Sequence, residues 1–479
     1  MSRNMGRICA DMLFNSFDFA IFIALFIPLF FLTKGSARLL LSLAASYLFY
    51  AWWDWRFIFL LGGSTLVGFL CGQRIHGATT NAERKLWLWL SIVLHLAALG
   101  VFKYYNFFID SVTDALALAG ITAGLRTLEI ILPVGISFYT FQTLSYTIDI
   151  YGRKIAPEPR LLNFSVFVSF FPQLVAGPIV RASTFLPQLR TDHRWEDSRI
   201  ILGLEWILWG FFLKLCIADN AAIFVDSRYG NPEIFSPASL SLATVFFAFQ
   251  IYGDFAGYSL IAIGIAKLLG FDFGRNFNRP YFSTSFSEFW GRWHISLSSW
   301  LRDYVYIPLG GNRGGLWGSV RNATITMLLS GLWHGAGWTF IAWAALHALY
   351  LTGERLIGLV LTPRWWTRAL ALPLVFLLTC LAWVFFRAAT FGDALTILDT
   401  ILTWEGAPGS SFGAQRLLAA KVACLIVFGI FVDFLASRDS AMSWYRRHLV
   451  LRAAGAGAII TLIAFAGAFG ANQFIYFQF

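Results

Sequence analysis

Apolar stretches of membrane-spanning length recur along almost the whole of this 479-residue chain, and no other feature constrains its fold as strongly. A helix needs about 20 mainly apolar residues to cross the hydrocarbon core of a bilayer. The candidate stretches lie around residues 17–33, 38–53, 57–72, 86–102, 131–151, 161–178, 199–217, 238–268, 322–352, 368–387, 417–436 and 450–471. Lipid offers no hydrogen bonds to an exposed backbone, so these stretches are expected to be helical. We predict an all-α integral membrane protein with about 10–12 transmembrane helices.

Some of the apolar stretches are short or contain proline, as at Pro28, Pro133 and Pro172. These stretches are expected to form re-entrant or amphipathic helices beside the simple spans. No stretch reads as a soluble domain and no internal repeat is evident. We therefore expect one membrane domain over residues 12–479, embedded in the lipid bilayer.

Charge supports a membrane protein and argues against nucleic-acid binding. Charged residues make up 13% of the chain, whereas a soluble domain carries about 25%. The net charge is +10, but the basic residues form short loop clusters such as Arg153, Lys154 and Arg160. Such clusters are typical of cytoplasmic loops that face anionic headgroups. No nucleic-acid partner is expected.

The positions of the basic loops predict an orientation. Three basic links fall on one side of the bilayer if the first five stretches are true spans. They are residues 73–85, residues 152–160 and the link with Lys34 and Arg38. The positive-inside rule places that side in the cytoplasm and the N-terminus outside. Arg3 and Arg7 disagree with this orientation, because they would then lie outside. Met12 is a natural start residue that leads directly into the first span. Residues 1–11 are therefore expected to be a misassigned start or a disordered extension.

A polar block interrupts the apolar pattern at residues 272–315. Charged side chains at membrane depth face a protein interior or a water-filled cavity, and they mark function by default. Within the block, residues 284–306 have helical periodicity, with His294, Ser298, Leu301 and Val305 on one face. We predict an amphipathic or re-entrant helix here that lines a cavity.

A second candidate, His334, lies within an almost uninterrupted apolar segment. Gly331, Gly335 and Gly337 surround it, which allows close backbone approach and a helix break. A histidine that has lost its water is favoured in the neutral form, and a neutral imidazole can serve as a general base. The catalytic core is therefore expected at about residues 272–352. His95 and His347 are expected to be packing residues.

Other catalytic motifs are absent from the sequence. There is no G-x-S-x-G elbow, no Walker A sequence, no H-E-x-x-H and no dinucleotide fingerprint. The histidines lack the H-x-x-H or E-x-x-H spacing of a metal site, so neither a metal nor a permanently bound cofactor is expected. The GGNRGG segment at 310–315 is interpreted as a tight turn.

Two neighbouring motifs form a distinctive signature: EFWGRWHISLSSWLRDYVYIPLGGNRGG is followed by LLSGLWHGAGWTF. This signature resembles that of the membrane-bound O-acyltransferase family, in its bacterial polysaccharide branch. Further similar segments are LFYAWWDW, KYYNFF, LPVGISFYTFQTLSYTIDIY, FFPQLVAGPIVR and NFNRPYF, so the likeness covers nearly the whole chain. One segment departs from the branch pattern: YGDFAGYSL at 252–260 has Gly253 in place of an aromatic residue and Leu260 in place of an acid.

The resemblance implies an activity and a set of site residues. It places the family's catalytic histidine at His334, the expected base, and a second active-site position at His294. The ring of His294 would orient the substrate or stabilise an oxyanion through its N–H. Weaker candidates for supporting roles are Ser298, Arg302, Asp303 and Tyr304.

The resemblance also implies a donor, an acceptor and a location. The donor is a cytoplasmic thioester, an acyl-CoA and most simply acetyl-CoA, and the location is the bacterial inner membrane. The acceptor is an exported, alginate-like polysaccharide, reached through one or more periplasmic acetyltransferase partners. Two other classes remain open at this point. A transporter or flippase would typically show internal repeats, and a scaffold of an export complex would need no buried histidine pair.

Overall fold

The computed structural model describes residues 12–122, 124–175, 177–358, 365–406, 415–436, 445, 447–469 and 474–475. None of these residues belongs to a β-strand, and most are helical. The predicted all-α fold class is therefore confirmed. The expected N-terminal extension at residues 1–11 lies outside the described residues.

The described residues up to Gln188 form nine α-helices. They are α1 (Phe17–Leu32), α2 (Gly35–Asp54), α3 (Phe57–Gly77), α4 (Asn81–Leu99), α5 (Tyr105–Leu118), α6 (Ile136–Tyr151), α7 (Leu161–Ser169), α8 (Phe171–Leu174) and α9 (Ala182–Gln188). A π-helical turn, Gly100–Tyr104, joins α4 to α5. Local capping explains some of the helix starts: Ser16 Oγ accepts the N–H of Phe19 at α1, and Thr80 Oγ1 accepts the N–H of Glu83 at α4.

The described part of the chain beyond Gln188 continues through eleven α-helices. They are α10 (Asp197–Phe211), α11 (Asp219–Tyr229), α12 (Pro237–Leu268), α13 (Phe286–Arg292), α14 (Ile295–Leu301), α15 (Gly315–His334), α16 (Trp338–Gly358), α17 (Trp365–Arg387), α18 (Phe391–Thr403), α19 (Arg416–Ala436) and α20 (Leu449–Ala466). Further π-helical turns occur at Phe212–Ala218 and Arg302–Tyr306.

The chain divides into two compact units. The first comprises Met1–Leu204 and Ala262–Gly274, and the second comprises Glu205–Ile261 and Arg275–Phe479. Both candidate histidines belong to the second unit. Compactness does not test whether either unit folds independently, so the single membrane domain over 12–479 stays a prediction.

Seven helical stretches among the described residues are long and apolar enough to cross a membrane. They are Phe57–Gly77, Asn81–Leu118, Asp197–Tyr229, Pro237–Leu268, Trp365–Arg387, Arg416–Ala436 and Leu449–Ala466. The number is lower than the 10–12 expected, because some predicted stretches form shorter helices and because α2, α15 and α16, with 20 or 21 residues each, are less apolar. The α1 and α6 helices have 16 residues each. The stretch at 161–178 is divided between α7 and α8 at Phe170, so it does not form one span.

Within the second unit, α12 approaches the preceding segment closely at two glycines. A Cβ on Gly257 would lie 2.7 Å from the carbonyl oxygen of Gly210, and one on Gly253 would lie 2.8 Å from that of Leu213. The backbones therefore touch where other residues would hold them apart. This contact gives a physical reason for Gly253, since the aromatic side chain of the branch pattern would not fit here.

Candidate active site

The segment around His294 is not the continuous helix predicted over 284–306. The α13 helix ends at Arg292, and α14 begins at Ile295. Between them, His294 has a left-handed backbone with φ of 43° and ψ of 55°. Since a residue in this conformation interrupts a right-handed helix, the prediction that His294, Ser298, Leu301 and Val305 share one helix face was wrong.

Asn276 forms hydrogen bonds across this break. Its carbonyl oxygen accepts the N–H of Ile295 at 2.8 Å, and its side-chain Oδ1 accepts the N–H of Ser296 at 3.2 Å. Nearby, the N–H of Asn278 donates to the carbonyl oxygen of Arg292 at 2.9 Å. Asn276 therefore caps the first turn of α14 from a distant part of the sequence. These bonds stabilise a backbone that is otherwise unfavourable for a side chain with a Cβ.

The ring of His294 is completely buried. Its Nδ1 lies 3.1 Å from Oδ1 of Asn276. Its ring centroid lies 4.6 Å from that of Phe255, 6.3 Å from that of Phe277 and 5.6 Å from that of Trp333. His294 lies outside the seven candidate spans, and burial lowers its pKa.

His334 is the last residue of α15, so the predicted helix break occurs directly after it. Its side chain is buried among three aromatic rings that stand nearly perpendicular to it. The ring centroids of Trp333 and Trp343 both lie 5.0 Å from that of His334, and that of Phe386 lies 5.4 Å away. Edge-to-face contacts of this kind hold the imidazole in one orientation.

Two of the three neighbouring glycines make the close approach that was predicted. A Cβ on Gly331 would lie 2.6 Å from the carbonyl oxygen of Phe340, and one on Gly335 would lie 2.1 Å from the Phe340 ring. At Gly337 the nearest atom would be 3.5 Å away, an ordinary contact. Gly331 and Gly335 therefore allow α16 to pack tightly against the end of α15 that carries His334.

The structure brings His294 and His334 together around the indole of Trp333. The centroid of this ring lies 5.6 Å from that of His294 and 5.0 Å from that of His334. Two imidazoles with different surroundings thus contact one indole. A pair of this kind can receive and return protons while the surrounding aromatic rings exclude water.

The four supporting candidates lie on or directly after α14, with different contacts. Ser298 Oγ donates to the carbonyl oxygen of Trp293 at 3.1 Å. The Nε of Arg302 donates to Oδ1 of Asp303 at 2.8 Å, and 63% of the Arg302 side chain is exposed. Tyr304 packs against Trp300, with ring centroids 5.0 Å apart. A supporting role for these residues stays a prediction.

Sequence reasoning did not single out Asn276, Trp333 or Trp343 as parts of the site. A signal for Asn276 was present, because it is the first residue of the NFNRPYF motif. His347 also lies close to the site. It is fully buried, and its ring centroid lies 5.1 Å from that of Trp343. Among the described residues, no group of three His, Cys, Asp or Glu side chains is arranged to hold a metal ion.

The sequence of this chain is similar to several known proteins. The model of the MBOAT, membrane-bound O-acyltransferase, family matches residues 152–392, a range that includes Asn276 and both histidines. The probable alginate O-acetylase AlgI of Pseudomonas aeruginosa is 38% identical over 453 residues, which cover 93% of this chain and 85% of that protein. The AlgI of Azotobacter vinelandii is 39% identical, with coverages of 87% and 83%. A peptidoglycan O-acetyltransferase of Helicobacter pylori is 35% identical, with coverages of 81% and 80%.

Proposed function

The chain belongs to the membrane-bound O-acyltransferase family, so it is a multi-pass membrane protein with O-acyltransferase activity. From this premise we propose that it transfers acetyl groups for the modification of an exported polysaccharide. The donor is a thioester on the cytoplasmic side, and the protein passes its acetyl group across the membrane. The observation that carries this proposal is the contact of His294 and His334 with one indole.

In the proposed mechanism His334 is the general base. It takes the proton from the attacking hydroxyl or thiol, whose oxygen or sulfur forms a bond to the thioester carbonyl carbon. The carbon–sulfur bond of the donor then breaks, and the departing thiolate takes the proton back from His334. A thioester is already activated, so positioning and a base in a water-poor site are sufficient. His294 assists by orienting the substrate or by stabilising the oxyanion.

The names of the relatives support acetyl as the acyl group and a glycan as the final acceptor. The matched proteins include proteins named probable alginate O-acetylase and a peptidoglycan O-acetyltransferase. We therefore assign acetyl-CoA as the donor substrate and an alginate-like polysaccharide as the acceptor. A teichoic acid D-alanyltransferase of Bacillus subtilis is 28% identical over 54% of this chain, a more distant relation.

A cytoplasmic donor and an exported polymer together require transfer across the inner membrane, which we propose as the location. We propose that a separate periplasmic acetyltransferase accepts the acetyl group and completes its transfer to the polymer. The hydroxyl or thiol that His334 deprotonates then belongs to this partner.

Mass analysis of the exported polysaccharide tests the proposal. Cells that express the His334→Gln variant at wild-type membrane levels are expected to export polymer without acetyl groups. His95→Gln is the matched control: His95 is also buried, but it lies in the first unit and contacts the carbonyl oxygen of Ser91. Retained acetylation in the His334→Gln cells would contradict the proposal. Loss of export with normal acetylation would favour a transporter.

A further inference from the structure

The environment of His294 determines which of its two ring nitrogens carries the proton. A neutral imidazole has one N–H donor and one bare nitrogen that accepts, and hydrogen bonding decides between the two forms. The Nδ1 of His294 lies 3.1 Å from Oδ1 of Asn276. Which ring nitrogen of His294 carries the hydrogen therefore depends on whether the oxygen or the amide nitrogen of Asn276 faces Nδ1.

The backbone of Ser296 resolves the orientation of the Asn276 amide. A backbone N–H can only donate, and that of Ser296 points at Oδ1 of Asn276 from 3.2 Å. A flipped amide would place its NH2 group against this N–H, so the atom facing it has to be the oxygen. The Nδ2 of Asn276 donates instead to Oγ of Ser259 at 3.0 Å, which satisfies the other end of the amide.

With Oδ1 facing His294, the hydrogen lies on Nδ1. The hydroxyl of Ser296 also donates to Oδ1, at 2.8 Å, so the Ser296 oxygen, 3.4 Å from Nδ1, faces this nitrogen as a second acceptor. An unprotonated Nδ1 would direct its lone pair at the lone pairs of Oδ1. Burial of the ring beside Phe255 and Trp333 disfavours the doubly protonated imidazolium. Nε2 then carries a lone pair and no hydrogen.

We propose that Asn276 is a positioning residue, which holds His294 in the Nδ1–H form so that Nε2 accepts a hydrogen bond from a substrate O–H or N–H group other than the one that His334 deprotonates. This inference rests on the proposed function of the site, and it decides between the two roles considered for His294. An unprotonated Nε2 orients the substrate by accepting this hydrogen bond. Because Nε2 has no hydrogen to donate in this form, His294 does not stabilise an oxyanion through Nε2.

The direct test is nitrogen-15 NMR of histidine-labelled, full-length protein in lipid bilayers. The chain has seven histidines, and the signals that disappear in the His294→Gln variant belong to His294. The expected result is one protonated nitrogen, Nδ1, and one unprotonated nitrogen, Nε2. A protonated Nε2 with a bare Nδ1 would overturn the inference without any measurement of activity.

Substitutions at Asn276 supply a second readout. Asn276→Asp keeps an oxygen facing both Nδ1 and the N–H of Ser296, so the Nδ1–H signature and acetyl transfer are expected to be retained. Asn276→Leu removes this acceptor, and acetyl transfer is expected to fall about 10- to 100-fold, the usual effect of losing a histidine's hydrogen-bond partner. Ser259→Ala is the matched control, since it removes only the partner of Nδ2.

The outcomes separate this inference from the proposed function. A merely structural role of Asn276 as a cap for α14 predicts that the Asn276→Leu protein, where it folds, keeps the wild-type His294 signals, and that result would overturn the inference. If the Asn276→Leu protein does not fold, the wild-type spectrum and the Asn276→Asp spectrum still decide it. The proposed function fails separately, if His334→Gln cells export fully acetylated polymer.

Discussion

The imidazole of His334 stands edge-on to the indole of Trp343, with ring centroids 5.0 Å apart and ring planes at 83°. The same indole is fully buried and lies 5.1 Å from the ring of His347. Trp343 therefore separates the proposed base from a second buried histidine. An indole in this position holds His334 in place and keeps water away from it.

Replacing Trp343 tests this dual role in packing and catalysis. Trp343→Ala leaves a cavity beside His334, so the free energy of unfolding is expected to fall by about 3–5 kcal/mol, together with acetyl transfer. Trp343→Phe preserves an edge-on aromatic contact and is expected to lose less of both. Thermal unfolding in detergent and acetyl content of the exported polymer are the measurements. Wild-type stability in the alanine variant would contradict the packing role.

The glycines beside His334 provide a matched pair of substitutions. A Cβ at Gly335 would lie 2.1 Å from the Phe340 ring, whereas at Gly337 the nearest atom would be 3.5 Å away. Gly335→Ala is therefore expected to displace α16 from the end of α15, lowering the free energy of unfolding by about 1–3 kcal/mol and reducing acetyl transfer. Gly337→Ala is expected to change both much less. Equal effects of the two substitutions would show that crowding at Phe340 is not the cause.

A buried ion cluster in the second unit predicts a large effect on stability. The Nζ of Lys214 lies 2.8 Å from Oδ1 of Asp219 and 2.6 Å from Oδ1 of Asp254, and all three side chains are less than 10% exposed. Lys214→Met leaves two buried carboxylates without this cation, so the free energy of unfolding is expected to fall by about 3–5 kcal/mol. Thermal unfolding measures the change.

The control for this cluster is an exposed ion pair in the first unit. Arg194 pairs with Asp192 at 3.2 Å, and 85% of the Arg194 side chain is exposed. Because water screens such a pair, Arg194→Gln is expected to leave the unfolding temperature nearly unchanged. A Lys214→Met variant as stable as Arg194→Gln would contradict the prediction, since it would mean that the cluster contributes little to folding.

His193, in the loop after α9, predicts a pH dependence of stability in the first unit. Burial lowers the pKa of His193 below its ordinary value of 6.5, and the nearby cations Arg38 and Arg199 add to this effect. The unfolded chain therefore binds a proton at higher pH than the folded chain. The contribution of His193 to stability is complete above pH 6.5 and declines as the pH falls from there towards the lowered pKa of the folded state.

The measurement is the unfolding temperature of wild-type protein and of His193→Gln as the pH is lowered through this range. Glutamine does not titrate, so the difference between the two proteins isolates His193. The wild-type protein is expected to lose more stability than the variant as the pH falls. Parallel curves would show that burial of His193 does not disfavour its protonation.

Much of the fold could be predicted because the relevant signals are local. The run of apolar residues in 417–436 predicted a span, and the structure has α19 at Arg416–Ala436. The stretch at 161–178 also looks apolar, yet it forms α7 and α8. Hydropathy cannot distinguish these cases, because burial inside a protein and exposure to lipid both favour apolar side chains.

In the candidate site too, some features could be predicted from the local sequence and others could not. The glycines around His334 correctly predicted a close helix contact and a helix break at its position. The helical periodicity of 284–306 suggested one continuous helix, whereas His294 has a positive φ that interrupts it. That interruption is stabilised by Asn276, 18 residues away. A local sequence pattern cannot predict a hydrogen-bond partner at this separation.

By itself, the sequence determined that this protein is helical, that it crosses a membrane several times and that His294 and His334 are its exceptional polar residues. These properties follow from composition and periodicity, which act over one or two helical turns. Only the tertiary structure decided that His294 contacts Trp333, the residue before His334, and that Asn276 holds Nδ1 of His294. The reason is physical: ring contacts and side-chain hydrogen bonds form between segments that packing brings together, and their distances depend on the whole set of neighbouring residues.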